Sequence, residues 1–491
     1  MDYFPLVQRF ESALWVSMVC HGQAAERFER SLGWDFGVQN YRYRDHRHQI
    51  HIPYFERLGQ LIAAIPIDRR YDQFQSSCET ACEEVLAAAD RAAAGFKPDM
   101  DKAESFDLLS ILLEASMDAM PFLPSLVLIQ EELQQDLREG IAADLGVDQG
   151  SSEFGSFWQR VLVPVEQANF VPESRDVLAM AADYREQGID PEADLENLAP
   201  PWRSRIDAHV REHGWIGTFT YLNQPFSAAE ILQRVQRAAK VSPHELEDTL
   251  ERDRRSVVEA DRALAELSSE QTRSLVSTAR YFMYLRFERV DIHFKAEVRT
   301  RPIQYRLAEL AGISRDALVM LTLDELRAWA VDGAPLPAEE ELSLRVANGI
   351  EYEIVEGCHS WRTAKPIERI LDPDARALAR VGIEGSTACL GSARGRVKHV
   401  TSIAEMQGFE EGDVLLTPMT TPDVMYAIER AGAIVTEEGG VLCHAAIISR
   451  ELNKPCLIGC RDATRAFADG DIVELVAGEN GGSVTLLEEA A

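Results

Sequence analysis

A mostly α-helical N-terminal region followed by a C-terminal α/β unit is the multidomain architecture that this 491-residue sequence predicts. Apolar residues recur every three or four positions through most of the first 370 residues. After about residue 385 the texture changes to short β-branched runs bounded by Gly, Pro and Asp. Two helical stretches then alternate with those runs, as they do in a compact α/β unit.

The helical elements follow in order. SCETACEEVLAAADRAAAGF (77–96) and the run 105–146 carry the helical period, as do AAEILQRVQRAAK (228–240) and the long stretch 242–298. The last of these opens with Ser242, Pro243 and Glu245 in a capping-box arrangement. Pro- and Gly-containing breaks near 98, 121–124, 188–201 and 333–337 separate the groups. In the C-terminal part, RGRVKHVT, DVLLT, GAIVTE, PCLIG, DIVELVA and GSVTLLE read as strands, and PDVMYAIERA and HAAIISRELN as helices. The expected division is a helical domain over 1–200 that binds an acceptor or a partner, a second helical region over 201–371, a hinge linker over 372–388 and the α/β domain over 389–491. The linker reading rests on Pro373 and the small residues around it.

Composition limits the function. With 81 acidic and 50 basic residues the formal charge is -31, and no Lys/Arg block stands apart from it. Nucleic acid and anionic membranes are repelled by such a chain, so neither is an expected partner. No stretch reads as a bilayer span and the N-terminus has no signal-peptide pattern. The eight cysteines are scattered without zinc-site spacing, so buried reduced thiols, no metal site and a cytoplasmic location are expected. RYRDHRHQIHIP (42–53) sets His46 and His48 on one face if it is a strand, but no carboxylate or cysteine stands at ligand spacing, and a polar surface segment is the expected use. Trp15, Trp34, Phe36, Tyr41 and Tyr43 have two open uses, lining a pocket for an organic acceptor or filling a core.

The chemistry concentrates in AIVTEEGGVLCHAAIISRELNKPCLIG (433–459). A strand ends at Thr436, Gly439 and Gly440 turn the chain, and a helix starts close to His444. A helix start presents unpaired N–H groups and the positive end of the dipole. That setting disfavours the protonated imidazole, leaving a lone pair for attack, and then stabilises a phosphoryl group on the ring nitrogen. Gly439 and Gly440 leave backbone open to phosphate oxygens, and Thr436 and Arg450 are candidate phosphate partners through hydroxyl and guanidinium.

This stretch closely resembles the swivelling phosphohistidine domain of phosphoenolpyruvate-utilising enzymes. Thr436, Gly439, Gly440, Cys443, His444, Ala445, Ala446, Ile447, Arg450, Glu451, Pro455 and Gly459 match its motif in register. The resemblance implies a β/β/α swivelling fold, with His444 as the phosphorylated nucleophile. It reaches more weakly into 278–333, which is similar to the helical region preceding that domain in phosphoenolpyruvate synthase-like and rifampicin phosphotransferase-like proteins. There Arg286, Arg289, Arg299 and Arg301 either dock a phosphorylated group or form a solvated face paired with carboxylates.

Family members that act alone add an ATP-grasp domain, a phosphoenolpyruvate-binding barrel, or both. No Gly-rich phosphate loop with a following lysine occurs in the first 370 residues, and no barrel is expected beyond Ala491. The resemblance therefore implies a phosphotransferase that is one subunit of a complex. A nucleotide- or phosphoenolpyruvate-binding partner, with Mg²⁺ and ATP or phosphoenolpyruvate at its own site, would load His444, which then serves a small-molecule acceptor. Two alternatives stay open: a non-catalytic binding or regulatory module, and a self-sufficient phosphotransferase with an unrecognised nucleotide site.

Overall fold

The computed structural model describes the chain except residues 1–2, 9–10, 164–169, 219–220, 223, 241–254, 256, 366–370, 401–402, 407, 421–423, 438–443, 479–480 and 491. The capping box expected at 242–245 lies outside the described residues.

The N-terminal body is built on helices Ile67–Gly95, Lys102–Ala119, Phe122–Leu145 and the 42-residue helix Glu270–Ala311, which packs along all three. Asp101 caps the second of these with a reciprocal Glu104 bond, and Pro121 separates it from the third. The stretch Lys102–Leu145 has the length and apolarity to cross a membrane, contrary to the expectation that none would. Most of its apolar window, 72%, is instead buried inside the body, where Leu109, Leu113, Ile129 and Leu137 supply core contacts.

A smaller core joins helices Phe170–Glu186, Pro200–His213 and Ala228–Ala239 through Val177, Tyr184, Trp202, Ile206 and Val235. The boundary expected at 200 falls on the first turn of the middle helix. Trp202 and Ile206 pack back onto Val177 and Tyr184, so the chain is continuous in structure across that point.

The helical expectation for 1–371 also missed an antiparallel sheet. Its strands are β1 (Tyr3–Gln8), β2 (Tyr41–Arg44), β3 (Arg47–His51), β4 (Ile350–Val355) and β5 (Cys358–Thr363), in the order β1-β3-β2-β4-β5. Inward positions alternate as Tyr41, Tyr43, His48 and Ile50, a strand period carried by aromatic and histidine side chains between arginines. Asp45 and His46 turn the hairpin with positive φ, so His46 and His48 do not share a strand face. His48 is buried and its Nε2 meets the Glu11 carboxylate, the partner that sequence spacing did not supply. Trp15, Phe36, Tyr41 and Tyr43 are buried in the main core with Trp34 packed against it, which settles their use as core.

Among the described residues, seven strands close a C-terminal barrel in the order β10-β6-β12-β11-β7-β8-β9. They are β6 (Ile383–Cys389), β7 (Gly391–His399), β8 (Val414–Thr417), β9 (Ala433–Thr436), β10 (Cys456–Ile458), β11 (Ile472–Gly478) and β12 (Gly481–Glu488). β7, β8, β9 and β10 run parallel, while β11, β12 and β6 complete the closure with antiparallel pairs. Along β8 and β9, Val414, Leu416, Ala433 and Val435 enter the barrel core. Leu415 and Ile434 alternate to the other face and join the larger core with Ala427, Ile428 and Ala446.

The hinge linker expected over 372–388 is not a linker. It is the helix Pro373–Ala379 followed by β6, and it is welded to the barrel. Asp372 caps that helix and bonds Arg465, and β6 pairs with both β10 and β12. Arg376 makes a bidentate ion pair with the fully buried Asp471, whose carboxylate also accepts from the Ala468 and Ala490 amides at 2.7 and 2.9 Å.

Burial pushes the Asp471 carboxyl up, but Arg376 and the two amides pull it further down, so it sits below its ordinary value. A carboxyl depressed in the folded state stabilises fully above its unfolded value, about pH 4, and that contribution is lost as pH falls through the folded value. Asp471→Ala leaves Arg376 without its buried partner and should cost about 3 kcal/mol in urea unfolding. The acid dependence of the wild-type unfolding transition should shrink correspondingly in the variant.

Candidate functional site

The parallel run of the barrel determines where a site can form. β8 and β9 pair in register with Thr417 beside Thr436 at their carboxyl ends. Ligands gather at that edge of an α/β sheet because the loops leaving it carry the free backbone groups. β9 and β10 are parallel neighbours, so the chain must cross back over the sheet between them. The returning element is the helix His444–Glu451, and His444 is its first residue. Gly439, Gly440 and Cys443 lie outside the described residues, and for His444 the structure describes the backbone alone.

The helix is held by its small and apolar face. Ala445, Ala446 and Ile448 are buried as it crosses β6, β9 and β10, and the Ser449 hydroxyl donates to the Ala446 carbonyl at 3.2 Å. Asn453 adopts φ 49°, and the Lys454 amide returns to the Ser449 carbonyl at 2.8 Å, which delivers Pro455 to β10. Asn tolerates this left-handed conformation better than most residues.

Thr436 is fully buried, and its carbonyl accepts from the Cys460 amide at 2.9 Å. The next residue, Glu437, is locked onto Thr464, accepting from its amide at 2.7 Å and its hydroxyl at 2.6 Å. Arg450 donates Nε–H to the Ala388 carbonyl of β6 at 2.9 Å, a tie that orients the helix on the barrel. That tie, the Glu437 lock and Thr417 are features of the edge that sequence reasoning did not reach. Only Thr417 had a visible signal, as the first threonine of LLTPMTTPD.

Cys389 and Cys456 are register partners across β6 and β10, both buried like Cys460, whereas Cys358 is exposed. Burial pushes the Cys389 thiol up, with Arg450 opposing, and pushes Cys460 up to about 12.

Of the four arginines singled out on Glu270–Ala311, Arg299 bonds Asp90 at 2.9 Å and Arg301 bonds Glu297 at 3.0 Å. Arg289 is buried. Arg299 and Arg301 thus pair with carboxylates within the body.

Residues 409–481 match the family model described as "PEP-utilising enzyme, mobile domain". The C-terminal unit is a mobile domain of the phosphoenolpyruvate-utilising enzymes. The similarity extends to a probable phosphoenolpyruvate synthase of Archaeoglobus fulgidus, 49% identical over 105 residues, which are 21% of this chain and 14% of that protein. A probable phosphoenolpyruvate synthase of Methanothermobacter thermautotrophicus is 46% identical over 128 residues, 26% of this chain and 19% of that protein. The phosphoenolpyruvate synthase of Escherichia coli K12 is 49% identical over 85 residues, 17% of this chain and 11% of that protein. The chain spans less than a fifth of the length of each of these relatives.

The mobile domain is seated on the body through an ion-pair joint. Arg234, on Ala228–Ala239, donates to both oxygens of Glu173 at 2.5 and 2.9 Å and to Glu429 at 2.9 Å. Glu429 belongs to the helix Met425–Arg430 of the mobile domain. Burial pushes the Glu429 carboxyl up, with Arg234 pulling back and Glu173 adding its repulsion. Burial also pushes Glu173 up, but His209 and Arg234 outweigh it and hold that carboxyl below its ordinary value. Arg234→Ala leaves two carboxylates facing each other without their shared cation, a loss on the order of 3 kcal/mol. Hydrogen exchange should then rise in the amides of Met425–Arg430 while those of Glu270–Ala311 keep their protection.

Proposed function

We propose that this chain is the phosphohistidine-carrying component of a split phosphotransferase. The observation that carries the reading is the position of His444, the first residue of a crossover helix at the carboxyl edge of a phosphoenolpyruvate-utilising mobile domain. The donor is ATP or phosphoenolpyruvate held by a partner protein. An imidazole nitrogen of His444 attacks the donor phosphorus, a P–N bond forms and the P–O bond to the donor's leaving group breaks. An acceptor oxygen then attacks the same phosphorus, the P–N bond breaks and the imidazole is regenerated. Thr436, Gly439, Gly440 and Arg450 are the residues assigned to the phosphoryl oxygens, by hydroxyl, open backbone and guanidinium. The acceptor is a small molecule.

Mg²⁺ supplies charge neutralisation when it arrives with the donor. Glu437, close to His444 in sequence, has its Oε1 taken up by the Thr464 amide and hydroxyl. The first 370 residues carry no phosphate-cradling Gly-rich loop, which supports a donor site outside them. Among the described residues no disulfide joins the cysteines, which supports a reducing, cytoplasmic setting.

The test is incubation with radiolabelled ATP or phosphoenolpyruvate, with and without the proteins encoded beside this one. Acid-labile, base-stable label should appear only with a partner and fall to background in His444→Ala. Label that persists in His444→Ala sinks the assignment of the carrier. Full labelling by ATP with no partner sinks the split system and leaves a self-sufficient phosphotransferase.

A further inference from the structure

The helix Pro200–His213 carries His209 and His213 four residues apart, so both project from one face of its last turn. Their rings stand 4.9 Å apart between centroids. Asp176, from the neighbouring helix Phe170–Glu186, brings its Oδ2 to 2.6 Å from His209 Nδ1. One ligand-type atom from each of Asp176, His209 and His213 lies within 4.8 Å of the others. The far side of the His209 ring is occupied too, with Nε2 at 3.1 Å from Glu173 Oε1.

We propose that Asp176, His209 and His213 form a binding site for a divalent transition metal of the zinc class. Two imidazoles and one carboxylate are a borderline donor set that suits such an ion, and three protein ligands leave a position open to water or an exchangeable ligand. Glu173 completes the arrangement as a carboxylate behind a ligating histidine. It fixes the His209 ring so that Nδ1 faces the ion, the role that outer-shell carboxylates take at metal sites. The ion replaces the proton between His209 Nδ1 and Asp176.

Tetrahedral ligand lengths of about 2.0 Å place donor atoms about 3.3 Å apart, so the Asp176 oxygen must retreat by roughly 0.7 Å. Asp176 is the side chain with the freedom to do so, being 44% exposed, whereas His209 and Glu173 are each 1% exposed. The site also lies at the carboxyl end of its helix, where the unpaired carbonyls favour a cation.

Because Glu173 is held by Arg234, and Arg234 by Glu429, the ion would sit three side chains from the mobile domain. The claim of binding does not depend on the carrier role of His444.

Calorimetric titration of the full chain with Zn²⁺ tests it, with Co²⁺ as the spectroscopic probe. One ion per chain is expected, with the Co²⁺ absorption of a nitrogen and oxygen site and no thiolate charge-transfer band. His213→Ala and Asp176→Asn, each checked for unchanged circular dichroism, should weaken binding by more than about tenfold. Both residues sit at a partly exposed rim, and the asparagine substitution preserves shape should the alanine variant misfold. Unchanged affinity in either folded variant overturns the site, as does a thiolate band or the absence of binding to wild-type protein.

Discussion

The parallel pairing of β7, β8, β9 and β10 is the constraint from which the functional end of this molecule follows. Parallel neighbours cannot be joined by a tight turn, so each step needs a crossover. Two of those crossovers are helices, Met425–Arg430 between β8 and β9 and His444–Glu451 between β9 and β10. One places Glu429 against the body and the other starts at His444. The docking contact and the candidate nucleophile thus arise from successive turns of one winding pattern.

That winding was largely legible in the sequence, because its information is local. Short apolar strands and helix-period stretches alternate within about fifty residues, and the change of period marks each boundary. Thr436 at the strand end and His444 at the helix start could both be placed from this alternation. β6 could not. IEGSTAC is small and polar, its partners lie at 456–458 and 482–484, and Gly385 is required because a Cβ there would strike the Cys460 thiol. The same composition that suggests a linker is what close packing against β10 demands. Arg450 showed a similar limit: its charge was legible as a phosphate partner, whereas its bond to the Ala388 carbonyl depends on the unseen strand.

The N-terminal sheet was hidden for a related reason. Its two hairpins are separated by roughly three hundred residues, and β2 finds β4 through Tyr41–Ile354 and Tyr43–Tyr352 register partners. No local window contains that pairing. The inward residues are tyrosines and a histidine, so the strand alternation is present but carried by residues that a hydrophobic count scores weakly. His48 Nε2 and the Glu11 carboxylate then pair in the interior, where an ionisable group needs a partner. Helices, by contrast, were legible where their apolar stripe faced the long helix Glu270–Ala311, although that helix starts within the expected stretch 242–298 and runs on past its end.

Phosphorus NMR of the protein loaded in the presence of its donor-binding partner decides whether His444 carries the phosphoryl group. A phosphoramidate resonance that is absent from His444→Ala is the expected result. A phosphate-ester resonance, or a phosphoramidate that survives the substitution, would contradict it and place the carrier on another residue.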